Sequence, residues 1–494
     1  MELNFKRGWW ILALLLFSVG ILSIVLRGPL TTCDYWWHLK AGEWMLDHHT
    51  LPFIDVFSWF GVENELYWMS HEWLSEVVLA GFHRLLSQLI PTNTAAFSGY
   101  LFTCLSLFGL FSLLCLTNLK TYVQNVFVTS SWLFLGGLIF VSVASPRPHL
   151  LSYFLLVLTL WSLERFRRQG RAKALVGIPI YSFLWVNFHG GSSNLPYLLC
   201  FLYLIGGLVT FEWRGLTAQK WTSRQRKELL LTALLSFIVL VLNPHGLAMI
   251  TYPYENMQDH YMRSVIGEWF PPLLRLDGNV VILAQVLILV LILLFKKRSL
   301  QLIDFLLLGG FTYLAIGSVR FSPILYLVSS FILLPYMEGM VALPPTSSLK
   351  VSHPLYSFTM GSLGLLFAGL WMFQLPDRQV SALKPLLSEE LVAIIQAENP
   401  QRLYNYYDLG SELIYHEIPV FVDGRADLYS KNILKDAVDL GFLKQDAVAL
   451  FEKYQFDYLL TYQTSPLGYY LETFSQATLV AEDNGVVFYQ LNQN

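Results

Sequence analysis

Asp34 and His38 stand four residues apart in the run DYWWHLKAGEWMLDH, residues 34–48. On a helix that spacing puts both side chains on one face. A carboxylate and an imidazole so placed can act as a general base, or as ligands of a divalent metal, to activate an acceptor group. Asp34 can equally cap a helix that begins at Tyr35, and the residues alone leave both roles open. Asp55 in PFIDVFSW, with His71 and Glu72 in WMSHEWLSE, forms the next group. Carboxylate and imidazole ligands at such spacings suit Mg²⁺ or Mn²⁺, and they also suit a loop ordered by hydrogen bonds. SHEW lacks the second His of HExxH.

Other candidates stand in short motifs beside Pro or Gly. They are Arg147 and His149 in SPRPHL, His189 in NFHGG, His245 in NPHG, and Glu268 in GEWFPP. Arg320 in SVRF follows, and Asp423, Arg425 and Asp427 stand in VDGRADLY. Each lone His is also what a hydrogen-bonded helix terminus presents. An Arg at the end of an apolar run can snorkel to the interface or grip a phosphate through its bidentate fork. Asp423 and Arg425 either close a turn as a pair or cap a cavity and touch an acceptor. The sequence has no P-loop, no Rossmann glycine fingerprint, no CxxC and no GxSxG.

The elements that must position these residues are apolar. Of 494 residues, 55% are hydrophobic and 14% charged, with a mean hydropathy of +0.49. Ordinary soluble domains carry about 25% charged residues, so a purely soluble protein is excluded. A net charge of −3 argues against nucleic acid as a partner. Of the four cysteines, Cys104, Cys115 and Cys200 lie in apolar runs and read as buried hydrophobes, not as a disulfide framework; Cys33 is the fourth. Uncharged runs long enough to span a bilayer, the shortest helped by snorkelling flanks, cover 8–26, 95–119, 121–146, 148–163, 174–188, 190–211, 229–244, 279–295, 305–319, 321–337 and 355–376. These eleven predict a polytopic α-helical membrane protein. The first run is expected to be an uncleaved anchor.

Placing the N-terminus, with Lys6 and Arg7, in the cytoplasm puts 17 Lys and Arg inside, 7 in external segments and 8 in the tail. That split obeys the positive-inside rule. Residues 73–90 then lie along the outer interface as an amphipathic helix, as do 35–48. The first external segment, 28–94, carries eight carboxylates against Lys40 and Arg84. The membrane domain is drawn as 1–375. Residues 376–494 alternate strand-like RLYNY, VFVDG, DYLLTY, TLVAED and VVFYQL with helix-like runs, which predicts an extracytoplasmic α/β domain. All the candidate residues then fall on the external side, where they can line one chamber with a hydrocarbon floor.

The segment CDYWWHLKAGEWMLDHHTLPFIDVFSW resembles the first external loop of the GT-C superfamily of membrane glycosyltransferases. Those enzymes share an acid just after span one, an aromatic-rich amphipathic helix, a turn and a second acid. The motifs D-x-W-W-H-L, H-E-W-L, N-x-H-G-G, N-P-x-G, E-W-x-P-P and V-F-x-D-G-R extend the likeness, to a group of bacterial members, over most of the chain. The resemblance implies a bacterial plasma-membrane enzyme with a polyprenyl-phosphate-sugar donor and an extracytoplasmic acceptor. It puts the catalytic acid on Asp34, with His38 and Asp55 beside it. It makes Asp34, Asp55 and Glu72 the candidate ligands of Mg or Mn. His71, Glu72, Arg147, His149, His189, His245, Glu268, Arg320, Asp423 and Arg425 become the candidate substrate contacts. Asp34 is followed by Tyr35 and Trp36, not by the second acid of D-x-D or D-E forms. Two other classes remain open on the sequence: a transporter or flippase of a lipid-linked or polar solute, and a non-catalytic subunit of an envelope-glycan assembly.

Overall fold

The computed structural model describes residues 34–89, 94–119, 126–141, 145–272, 279–295, 299–337, 385–429, 431–444, 447–473 and 477–492. The expected spans 8–26 and 355–376, with residues 28–33, lie outside the described residues.

Each of the other expected spans coincides with a helix. The helices are Thr94–Leu114, Val126–Val141, His149–Gln169, Gly177–Phe188, Leu195–Gly206, Ser223–Ile238, Asn279–Phe295, Leu302–Gly317 and Ser322–Met337. Their sequences are apolar around most of the circumference, so burial against one another and contact with lipid are both open to them. One continuous core runs through this bundle, with Phe111, Trp132, Phe140 and Tyr326 among its buried rings. Among the described residues, Ala95–Thr117 and Val319–Tyr336 are long and apolar enough to cross a bilayer by length and composition. Ala172–Phe188, Ala284–Phe295 and Leu302–Gly317 are shorter apolar helices.

The two runs expected to be amphipathic also fold as helices, Asp34–His48 and Trp73–Ser87. They cross closely at Gly42, where any Cβ would collide with the Glu76 carbonyl. Tyr35 fixes the first to the bundle by donating to the Ala95 carbonyl at 2.6 Å.

The C-terminal residues form a four-stranded mixed sheet in the order Leu403–Asn405, Tyr458–Tyr462, Val486–Leu491, Ala477–Asp483. The first pair is parallel and the others antiparallel. VFVDG, expected as a strand, is not one. Its backbone is satisfied elsewhere: Asn405 bridges Phe421 N and Val422 O, and the Val420 carbonyl accepts from Trp59 N at 2.9 Å. That segment leans on residues 57–59, and the hydrophobic core follows it. Trp37, Met45, Trp59 and Trp68 share one buried cluster with Ile395, Phe421, Leu460 and Phe488.

A buried charge clamps this junction. The Arg425 guanidinium is 1% exposed. It binds Asp55 at 2.7 Å and Asp423 at 2.6 Å, and it lies over the rings of Trp68 and Phe57. A second buried set sits at the far end of the His149–Gln169 helix, about 25 Å from its start at 1.5 Å per residue. There Arg167 binds Glu164 at 2.9 Å and Asp304 at 2.5 Å, while Tyr203 and Tyr336 donate to the same two carboxylates.

Removing one member of a buried ion pair leaves its partner charged and desolvated, at a cost of about 3–5 kcal/mol. Arg425→Ala is therefore expected to lower unfolding stability by about that amount, measured by denaturant titration in detergent. An unchanged midpoint would show that the clamp does not hold the junction.

Candidate active site

The helices Asp34–His48 and Trp73–Ser87, the ends of the bundle helices and the C-terminal part line a cavity of about 1270 Å³. Asp34, His38, His71 and Glu72 line it from the first external segment. Arg147, His149, His189, Glu268 and Arg320 line it from the ends of bundle helices and the turns between them, and Arg425 and Asp427 from the C-terminal part.

Asp34 opens its helix, as a helix-initiating acid should, and its side chain reaches across to Arg147 at 2.7 Å. Gly424 closes over it from the C-terminal part, where a Cβ would strike the Asp34 carboxylate. Arg147 also binds Glu268. Glu268 is held by its own turn: Ser318 donates to its carbonyl at 3.0 Å, and Arg320 lies 5.0 Å from the ring centre of neighbouring Trp269. Two carboxylates thus share one guanidinium, yet they titrate differently. Burial pushes the Asp34 carboxyl above its ordinary value, against the pull of Arg147. Burial acts on Glu268 too, but Arg147 and Arg320 together outweigh it and hold that carboxyl at about 2. Glu268 is a fixed anion, while Asp34 is the one able to take a proton. Such splitting is how one site assigns acid and base roles.

Glu72 occupies the centre of a second group. Its Oε1 lies 3.2 Å from His189 Nε2 and 3.7 Å from His71 Nε2, and its Oε2 lies 3.6 Å from His38 Nε2. His38 Nδ1 meets Glu76 Oε1 at 3.0 Å. The main chain brings these motifs together: Gly190 N of NFHGG donates to the His71 carbonyl at 2.8 Å. Asn187 accepts from Trp73 Nε1 at 3.1 Å and donates to the Leu242 carbonyl at 3.0 Å, so it ties three motifs at once. Burial holds His38 and His189 well below the ordinary imidazole range, leaving both neutral. It raises Glu72 and, further, Glu76. Among the described residues, the sets whose geometry admits a metal are His71–Glu72–His189 and His38–Glu72–Glu76.

Three expected residues are placed elsewhere. Asp55, expected as a catalytic acid and metal ligand, does not line the cavity. Its oxygens take Phe57 N, Ser58 and Arg425. Asp423 is likewise enclosed by Arg425 and Tyr429. His245 lies outside the cavity wall and meets the Tyr67 hydroxyl at 2.9 Å. The expected metal set Asp34, Asp55 and Glu72 is not assembled: Asp34 faces Arg147, Asp55 faces Arg425, and Glu72 faces imidazoles. Tyr252 was not singled out by sequence. It donates to Asp427 at 2.7 Å and meets His71 Nδ1 at 2.8 Å. A phenol two turns of chain beyond NPHG, in TYPYEN, was the only available signal.

No protein-family model and no curated protein matches the sequence. Solved structures do. An oligosaccharyltransferase from Archaeoglobus fulgidus, tethered to an acceptor peptide containing the NVT sequon, aligns with a TM-score of 0.53 at 12% identity over 92% of this chain and 69% of that one. AglB from the same organism, in complex with an inhibitory peptide and a dolichol-phosphate, gives 0.52 at 12% identity over 93% and 70%. ArnT from Cupriavidus metallidurans gives 0.51 at 12% identity over 98% of both chains. The chain therefore shares the fold of these three structures.

Proposed function

We propose that this chain is a membrane glycosyltransferase that moves a sugar from a polyprenyl-phosphate or -diphosphate carrier to an extracytoplasmic acceptor: an envelope glycan, lipid or protein. The observation that carries this reading is the Asp34–Arg147 pair on the wall of a large chamber that also presents Arg320. An acceptor and the phosphate of a lipid carrier are what such a pair suits, and the peptide and dolichol-phosphate in the neighbouring structures support it.

In the reaction the bond from the sugar's anomeric carbon to the phosphate oxygen breaks as the acceptor's oxygen or nitrogen bonds that carbon from the opposite face, inverting it. Asp34 orients the acceptor and takes its proton late, as the glycosidic bond breaks. The carrier leaves as a phosphate anion, whose developing charge is met by Arg147 and Arg320. Incoming phosphate competes with Glu268 and Asp34 for Arg147, which frees Asp34 for the acceptor. The donor survives only if the walls close over it and exclude water, which would otherwise hydrolyse it. The topology that fits is eleven spans in a bacterial plasma membrane, with the N-terminus cytoplasmic and the sheet outside.

With a panel of polyprenyl-phosphate sugars, Asp34→Asn is expected to lower kcat by about 10²–10⁴-fold. Transfer by the variant at the wild-type rate would remove Asp34 from the mechanism. The pH profile gives a second check. Activity needs ionised Asp34, so it rises with pH, and its acid limb lies above 3.8. Arg147 pulls that limb down; Arg147→Gln is expected to move it to higher pH and to cost about 10²–10³-fold in rate. A limb that stays in place would detach Arg147 from Asp34. Topology is read by thiol labelling in a Cys33→Ser background. Asn484→Cys, on an exposed turn, is expected to react from outside, and exposed Arg224→Cys only after permeabilisation.

A further inference from the structure

The chamber continues outward from Asp34 along the C-terminal part, and the transfer step above makes no use of that arm. Three aromatic side chains follow one another there. Tyr407 donates to the Gly424 carbonyl at 3.2 Å, and Gly424 lies on the Asp34 carboxylate. Tyr406 is next, its ring centre 5.3 Å from that of Tyr462. The end of the helix Lys431–Gly441 rests on it, since a Cβ at Gly441 would come within 3.3 Å of Tyr406 Cε2. Phe442 follows Gly441 directly. All three line the chamber, and the row ends in solvent, with Phe442 51% exposed.

A strained turn holds Phe442 outside. Leu443 takes a φ of +46°, a left-handed conformation that residues with a Cβ rarely adopt. It closes the helix, with Lys444 N donating to the Asp439 carbonyl at 2.8 Å, and its side chain packs on the buried core. Leu443 turns inward and the neighbouring ring stays at the rim. Polar groups flank the row: Asp408 follows Tyr407 on the wall, and Lys444 Nζ lies 5.8 Å from the Phe442 ring centre and 3.2 Å from Asp439.

Aromatic faces with an acid and a base beside them suit a carbohydrate. One face of a sugar ring is a patch of C–H groups, which stacks on an aromatic ring, while the hydroxyls at its edge reach the polar flanks. A peptide laid along the strand Leu403–Asn405 would need free main-chain partners, and these are taken. The Leu403 carbonyl accepts from Trp59 Nε1 at 3.0 Å, Tyr406 N donates to the Leu460 carbonyl at 2.9 Å, and the Tyr406 carbonyl accepts from Asn405 Nδ2 at 3.1 Å. The acyl chains of a lipid would need an apolar wall, and this row belongs to the C-terminal part, not to the apolar helices.

We propose that the row is the acceptor subsite and that the acceptor is a carbohydrate chain, an inference that rests on the transferase reading. Its sugars stack on Phe442, Tyr406 and Tyr407, and its terminal hydroxyl reaches Asp34. That oxygen bonds the anomeric carbon, its proton passes to Asp34, and the donor's bond from carbon to phosphate oxygen breaks. The product is a glycan one sugar longer.

The first test needs no glycosyl transfer. Full-length protein in detergent is screened against a printed array of bacterial envelope oligosaccharides, an NVT-containing peptide and a short-chain glycerophospholipid. Hits are measured by saturation-transfer NMR. Linear oligosaccharides are expected to bind, more tightly as they grow from one sugar to three, with the strongest saturation on the C–H protons of one ring face. Phe442→Ala should weaken binding about 2–10-fold. Tyr469→Ala, which removes a 59% exposed ring away from the chamber, should leave it unchanged. If Tyr406→Ala fails to fold, exposed Phe442 still reads the row. In transfer assays Phe442→Ala should raise the acceptor KM and leave kcat in place. Absence of glycan binding, binding independent of chain length, equal binding by Phe442→Ala, or Phe442-dependent binding of the peptide or phospholipid instead would overturn the proposal. Transfer with an acceptor KM unmoved by Phe442→Ala would overturn it while leaving the transferase reading intact. A chain that binds glycans through Phe442 but transfers no sugar would refute the transferase reading alone.

Discussion

A guanidinium buried between two carboxylates joins parts of the chain 370 residues apart. Arg425 cannot be solvated where it lies, so Asp55 and Asp423 must both be present and correctly placed. Asp55 comes from the loop between the helices Asp34–His48 and Trp73–Ser87, and Asp423 from the turn beside Arg425 itself. Once the three meet, Gly424 is carried onto Asp34, and the neighbouring Asp427 reaches Tyr252 and through it His71. The chamber's outer wall is thus a consequence of the clamp. The aromatic core under it, from Trp59 to Phe421, sets the spacing at which the clamp can close.

Inside the chamber the same constraint works in reverse. Asp34 and Glu268 share Arg147, but only Glu268 also feels Arg320 strongly enough to stay far below the usual carboxylate range. Asp34 is left as a carboxylate that burial makes more basic, beside a cation that a phosphate can claim. A carboxylate raised by burial and a shared guanidinium thus face each other on the chamber wall. The Glu72 group is separate in chemistry although it shares the wall: its partners are imidazoles, not guanidinium.

The parts legible in sequence were those governed by local rules. Helical spacing put Asp34 and His38 on one face, and both do enter the chamber, although each finds a different partner. Apolar run lengths located the bundle helices within a few residues. The short motifs marked turns at helix ends, and several of those turns line the chamber. What was not legible depended on contacts between distant segments. Asp55 reads as well for a metal ligand as for a clamp until Arg425 is seen on it. VFVDG has a strand's composition, but Asn405 and Trp59 satisfy its backbone. Glu76 looks like an interruption in an amphipathic helix, and only the crossing at Gly42 turns it toward His38.

The expected one-sidedness of the charges also needs refinement. Glu164 and Asp304, 1% and 2% exposed, lie at the far end of the bundle from the chamber, where the sequence suggested only a basic loop. Buried acids on both sides are what a carrier for polar solutes would need. Their bonding argues otherwise. Glu164 is taken by Tyr203 on one oxygen and by Arg167 and Arg168 on the other. Asp304 is taken by Arg167 and Tyr336. Every oxygen is occupied by a group from the bundle itself, and those groups come from three different helices, with Asp304 on a fourth. A site that must bind and release a solute keeps acceptors free. This one spends all of them on joining helices. The chamber at the other end leaves Glu76 Oε2 without a partner and holds Arg147 between competing anions. Unfinished bonding, more than the mere presence of charge, separates the end of the bundle suited to chemistry from the end that fastens it.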